Sequence, residues 1–165
     1  MANTQPATGT HTTNGTPHGY SSITPFVPLT NPGEALDFYQ RVFGATLVNS
    51  STAGDVVVHA ELDFGNGRLQ LGAASPDYHL LAPNLDSDDA AFSLALYCAD
   101  VDAVVERAVE AGATVREPVA TFVSGDRFAS IRDPFGVRWS VMTRVEDLSD
   151  AESDARVKEW LASQE

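Results

Sequence analysis

From Val56 to Phe64 the chain alternates between an apolar side and a side that is polar except at Val57. Val56, Val58, Ala60, Leu62 and Phe64 fall on one side, and Val57, His59, Glu61 and Asp63 on the other. Successive side chains of a strand point to opposite faces, so this segment predicts a strand with one apolar face and one polar face. Upstream the period becomes helical: Leu36, Tyr39 and Phe43 recur after Asn31-Pro32-Gly33-Glu34, which offers an N-cap with Glu at N3. Gly44 supplies the residue at which such a helix stops. Ile23 to Val27 predicts a strand before the helix, and 46–51 a short one after it. Asn66-Gly67 is a hairpin signal, beyond which Arg68 to Gly72 returns.

The second half repeats this order. Ser93 to Cys98 predicts a strand, and Asp100 caps a helix with Val101, Val104, Val105 and Ala108 on one face. Gly112 ends that helix, and Thr114 to Arg116, Gly125 to Arg132 and Val137 to Thr143 predict strands. Asp133-Pro134-Phe135-Gly136 forms a tight turn between the last two. Phe43-Gly44-Ala45-Thr46 returns as Ala111-Gly112-Ala113-Thr114, and Leu69 as Trp139, each about 70 residues later. The expected fold is α+β: two tandem β-α-β-β-β modules, 21–74 and 91–147, joined by an acidic linker over 75–90. Residues 1–20, rich in Thr, Asn, Gly and Pro, are expected to be a disordered tail; His11 and His18 lie there. A C-terminal helix is expected within 148–165, with a Ser149/Glu152 capping box and a stripe of Val157, Trp160 and Leu161.

Composition narrows the function classes. The net charge is −13, and no Lys or Arg occurs between Arg68 and Arg107, where Asp77, Asp86, Asp88, Asp89, Asp100 and Asp102 do. Such a surface repels nucleic acid and anionic membrane; it could attract a cationic ligand, or serve solubility alone. No apolar run is long enough to span a membrane, and no signal-like region opens the sequence, so a cytoplasmic protein is expected. The single cysteine, Cys98, reads as a buried thiol. The single lysine, Lys158, lies near the C-terminus, which argues against Schiff-base chemistry in the core.

Three groups of residues together resemble the vicinal oxygen chelate superfamily, which groups glyoxalase I, bleomycin-resistance proteins and extradiol dioxygenases. They are Leu36-Asp37-Phe38-Tyr39 with Phe43-Gly44-Ala45, then Asp100-Val101-Asp102-Ala103 with Ala111-Gly112-Ala113, then Asp133-Pro134-Phe135-Gly136 with Trp139. His59-Ala60-Glu61 and Gly125-Asp126-Arg127 resemble its PhnB-like branch. The resemblance implies one domain over 21–147, with mixed sheets that curl round a cavity and a homodimer as the expected assembly. It also implies four metal ligands, His or Glu, on cavity-facing strand positions.

Those positions can be read by face. Leu69, Leu71, Leu94, Leu96, Trp139 and Val141 should pack under helices, so the ligand positions fall at Thr24, Gln70, Ser93 and Ser140. None is a His, Asp or Glu, and neutral donors hold a transition metal poorly. No metal and no other cofactor is therefore expected. His59 and Glu61 share the polar face of their strand; they could hold a ligand, act as a base with its orienting partner, supply two ligands of a relocated metal site, or form an exposed polar face. Arg127 could meet an anionic group at the cavity mouth, or pair with a surplus acid. Tyr97 could stack on a planar ligand or fill the cavity, and Phe26 follows Thr24 on its face. Trp139 and Phe38 read as core, and Arg41, Arg107 and Arg116 as solvated charges.

Three functional readings follow. The first is a metal-free protein that encloses a small organic molecule. The second is a lyase, isomerase or dioxygenase-like enzyme using a relocated metal or His59 as base. The third is a partner-binding module that uses the acidic C-terminal helix.

Overall fold

The computed structural model describes residues 5–164 and divides into two compact units, the first running to Ala82 and the second starting at Pro83. The boundary falls inside the segment read as a linker. In the first unit β1 (Thr12–Thr13) and β2 (Thr16–Pro17) precede β3 (Phe26–Leu29), α1 (Pro32–Phe43), β4 (Thr46–Ala53), β5 (Val56–Asp63) and β6 (Arg68–Ala73). The main sheet has the order β3-β6-β5-β4, with β3 parallel to β6 and the other pairs antiparallel.

Helix α1 forms because its apolar residues recur on one side: Ala35, Leu36, Phe38, Tyr39 and Val42 are buried, as are Ala60, Leu62, Leu69 and Leu71 of the sheet. Each such Leu or Val side chain contributes about 1.5–3 kcal/mol of burial free energy. Pro32 fits the first turn, where its missing N–H has no partner to lose. Asn31 is the N-cap, but its side chain makes no capping hydrogen bond. Gly44 ends the helix at φ 72°, as its position in the sequence predicts. The apolar side of β5 is covered over part of its length only: Ala60 and Leu62 are fully buried, whereas Val56 and Val58 are 50% and 43% exposed. Every residue of the edge strand β4 is exposed, and two register shifts interrupt its pairing with β5.

The second unit has the same topology. Strands β7 (Ser93–Tyr97), β8 (Thr114–Thr121), β9 (Asp126–Arg132) and β10 (Arg138–Arg144) lie in the order β7-β10-β9-β8, with β7 parallel to β10. Helix α2 (Val101–Glu110) begins at Asp100, whose Oδ1 accepts from Ala103 N at 3.0 Å. It buries Val101, Val104, Val105 and Ala108, and the sheet buries Ala129, Ile131, Trp139 and Val141. Helix α3 (Asp150–Ala162) has the predicted capping box, formed by Ser149 and Glu152. None of its residues is buried; Trp160 meets Phe122 edge-on at 5.0 Å, and Ser153 donates to Ser124 O at 2.9 Å. Among the described residues no helix is long and apolar enough to cross a membrane.

Three local readings need correction. The stretch expected as a disordered tail, of which residues 1–4 lie outside the described residues, carries the β1–β2 ladder. Asn14 and Gly15 both adopt positive φ, 47° and 81°, as a primed hairpin turn requires, and Thr12–Thr13 pair with Thr16–Pro17 across them. The first long strand lies at Phe26–Leu29 rather than 23–27: ahead of it Pro25 has no N–H to give, although its carbonyl accepts from Gln70 N at 2.8 Å. The β5–β6 turn centres one residue earlier than Asn66-Gly67, because the positive φ of 100° falls at Gly65 and Phe64 N donates to Gly67 O.

Candidate functional site

Register places the polar residues of each sheet on the face away from its helix. In the first unit Phe26 pairs with Gln70, Gln70 with Glu61, and Glu61 with Asn49, giving one row across the sheet. Glu61 is only 6% exposed. A buried carboxylate needs partners, and it has three: the Tyr20 hydroxyl donates to Oε2, Arg68 Nη1 reaches the same oxygen at 3.3 Å, and Gln70 Nε2 donates to Oε1 at 3.1 Å. The Arg68 guanidinium also lies 4.1 Å over the Tyr20 ring.

The pKa directions follow from this network. Burial pushes the Glu61 carboxyl up, but hydrogen bonds from Tyr20 and Gln70, with the charges of His59 and Arg68, outweigh it and hold the group below its ordinary value. The Tyr20 phenol is raised, first by its hydrogen bond to Glu61 and then by burial. Beside this network the Phe26 and His59 rings stack at 6.1 Å, 22° from parallel. Gly72 leaves room for the Phe26 ring: a Cβ there would meet Val58 O at 2.2 Å and Phe26 Cζ at 3.2 Å. Thr24 lies two residues ahead of β3 and is half-buried.

In the second unit the corresponding face carries Ser93, Ser130, Arg138 and Ser140. Ser93 Oγ and Ser140 Oγ are 3.3 Å apart, and Arg138 Nη1 donates to Ser130 Oγ at 3.2 Å. Tyr97 shares that face by register and is 57% exposed. Arg127 does not. It pairs with Thr143 on the helix side of the sheet, and its guanidinium grips both Asp102 oxygens at 2.6 Å. It therefore makes the pairing with a surplus acid, not a contact on the open face. Tyr20, Arg68, Ser130 and Arg138 were not among the residues that sequence reasoning placed in the site. The repeat carried the signal for Arg138, which stands where Arg68 stands in the first copy; nothing local marks Tyr20.

The donors at the family's metal positions do not fit a dication. Gln70 directs its amide N–H at Glu61, Ser93 and Ser140 bond each other, and Thr24 adds one neutral hydroxyl. The nearest acid, Glu61, already carries a guanidinium and two neutral donors. It turns its oxygens to these partners rather than to His59, so the base-and-orienter pairing is not formed. Among the described residues no three His, Cys, Asp or Glu side chains gather as a metal site.

Comparison with known proteins agrees with this architecture. The model of the glyoxalase/bleomycin resistance protein/dioxygenase superfamily matches residues 22–141. The chain is 27% identical over 139 residues to protein Rv0887c of Mycobacterium tuberculosis, with 81% of each chain covered. It is equally similar to Mb0911c of Mycobacterium bovis, covering 81% of this chain and 90% of that one. Among solved structures, TioX from Micromonospora sp. ML1 superposes with a TM-score of 0.61 at 26% identity, covering 75% of this chain and 98% of its own. The PhnB protein from Bacillus cereus shares the fold at 19% identity, with a TM-score of 0.57 and coverage of 74% and 99%.

Proposed function

Because the chain belongs to the glyoxalase/bleomycin resistance protein/dioxygenase superfamily, we propose that it binds a small organic molecule on the open face of a sheet, without the family's metal. The observation that carries this reading is the state of the four metal positions: each is a neutral side chain, and Gln70, Ser93 and Ser140 are already hydrogen-bonded to protein neighbours. What such a face does offer is binding chemistry. Phe26 and His59 present a half-buried aromatic pair over Gly72, suited to stacking on a planar group. Polar side chains beside them would fix its orientation.

The catalytic alternative would need His59 held by Glu61, or a metal on that pair. Glu61 is committed to Tyr20, Arg68 and Gln70, so no contact favours that route. The test is a fluorescence titration with proflavine, a planar cationic dye that also probes the expected preference of an acidic protein for cations. Saturable binding that weakens at least tenfold in Phe26→Ala and His59→Ala is the expected result. Equal binding by both variants and the parent chain would overturn the assignment of this face.

A further inference from the structure

We infer that the open face of the second sheet binds an oxyanion, a carboxylate or phosphate group of a small molecule, through Arg138 with Ser93, Ser130 and Ser140. The inference deepens the small-molecule reading above and rests on it. It comes from comparing the two modules at equivalent register positions. In the first sheet Arg68 stands opposite Asp63, and Glu61 stands opposite Gln70. In the second, Arg138 stands opposite Arg132, and Ser130 stands opposite Ser140. The topology is the same, but the acids are gone: Glu61 is replaced by Ser130, and Asp63 by a second cation.

The consequences are visible in the contacts. Arg68 has a carboxylate at 3.3 Å. The side-chain partner of Arg138 is a serine hydroxyl at 3.2 Å, and its Nε is buried without a hydrogen bond. The Nε atoms of Arg68 and Arg116 share that condition, but those two side chains have acids in reach. Arg132 reaches Asp88 at 3.7 Å and donates to Asn84 O at 2.7 Å, while Arg116 pairs with the same Asp88. Two guanidiniums, those of Arg116 and Arg132, thus share one carboxylate, whose side chain is 69% exposed, and Arg138 has no ion pair with it. This happens in a chain with a net charge of −13 and 10 Lys and Arg in all.

Like charges facing each other across an antiparallel ladder destabilise it unless an anion lies between them. A guanidinium presents paired N–H donors that match the two oxygens of a carboxylate or phosphate. Ser93 and Ser140, 3.3 Å apart, can spend only one hydroxyl hydrogen on each other, which leaves the second for a ligand oxygen. Ser93 is exposed, so the position is open to solvent. An oxyanion at this place supplies to Arg138 what Glu61 supplies to Arg68.

The experiment titrates the full chain with benzoate, phenyl phosphate and the neutral isostere benzamide by calorimetry. One or both oxyanions should bind at least tenfold more tightly than benzamide, and their ranking identifies the group as carboxylate or phosphate. Arg138→Gln should weaken that binding at least tenfold. Ser130→Glu should do the same while keeping or raising the melting temperature, because it sets a carboxylate beside Arg138 as in the first module; this separates lost binding from lost folding. Arg127→Gln, on the opposite face, should leave binding within twofold. Equal affinity for benzamide, no binding of any of the three, or full binding by Ser130→Glu would each overturn the inference. If proflavine binding at Phe26 and His59 persists in that case, the small-molecule reading survives alone. If the oxyanions bind and proflavine does not, the stacking site is wrong and the Arg138 site stands.

Discussion

Trp139 donates its indole N–H to Oδ2 of Asp133 at 2.9 Å, and both residues are 3% exposed. The other Asp133 oxygen accepts from the backbone N–H groups of Phe135 and Val137, each at 2.9 Å. One carboxylate therefore closes the β9–β10 turn and anchors the largest side chain on the helix face of the second sheet. Gly136 completes the turn at φ 88°. Trp139→Ala removes the ring and leaves a buried acceptor short of a donor. It should cost about 3–5 kcal/mol of unfolding free energy in urea titration, as large core truncations do. A loss under about 1 kcal/mol would show that Trp139 is not a core anchor.

Gly72→Ala should be disproportionately damaging for a change of one methyl group. The added Cβ would sit 2.2 Å from Val58 O, a backbone atom that cannot rotate away, and 3.2 Å from the Phe26 ring. Overpacking in a core costs about 1–3 kcal/mol, and a clash with backbone belongs at the upper end. Thermal unfolding checks the loss. The proflavine titration should fail in parallel, because the ring pair on that face would have to move.

The faces of the sheets were legible in the sequence because the repeat and the alternation agree. Leu69, Leu71, Trp139 and Val141 are buried under helices, and Gln70 and Ser140 occupy the opposite faces, as the pattern predicts. The full length of β8 was not legible: Pro118 lies within it, and two register shifts carry the strand past that residue on the sheet's edge. Tyr20 was hidden for a different reason. It sits 41 residues from Glu61 in a segment of low apolar content, and no local period marks a side chain whose partner comes from folding alone. Arg127 could have been placed by counting: it lies an odd number of residues from Ser130, hence on the other face.

The Tyr20–Glu61 contact makes stability depend on pH in a defined direction. The Glu61 carboxyl is held below its ordinary value of 4.5, so its contribution is present above that pH and is lost as pH falls through the folded-state value. The Tyr20 phenol is raised above 10.0, so its contribution is present below that pH and is lost as pH rises through its folded-state value. Tyr20→Phe deletes the shared hydrogen bond. It should cost about 1 kcal/mol at pH 7, and less at pH 3 and pH 11. A penalty that is the same at all three pH values would show that the phenol does not bond the ionised carboxylate.

A homodimer is expected from the sheet edges. Strand β4 is exposed along its whole length and carries Leu47 and Val48 at 39% and 41% exposure. A second copy is a common means of covering such an edge. Light scattering across micromolar concentrations should report twice the chain mass of 17.6 kDa. Leu47→Lys should shift the population toward monomer if this edge is the contact. A monomer at every concentration would refute the expectation.

The donor set at Thr24, Gln70, Ser93 and Ser140 leads to an expectation about metal. On either sheet, neutral oxygens alone would leave the charge of a dication uncompensated, and for an ion in a partly dry site that penalty is several kcal/mol in real proteins. Zn, Ni, Fe and Mn favour imidazole, thiolate or carboxylate, none of which stands at these positions. Elemental analysis of purified protein should therefore find far less than one such metal per chain, and EDTA should leave the melting temperature unchanged. About one metal per chain would overturn this reading. His59→Ala then decides where it is held: loss of the metal would place it on His59 and Glu61, despite the Arg68 guanidinium 3.3 Å from that carboxylate. Two ligands on one strand face are too few for a stable site, so a further donor would have to complete it. That outcome would put the catalytic reading ahead of simple binding.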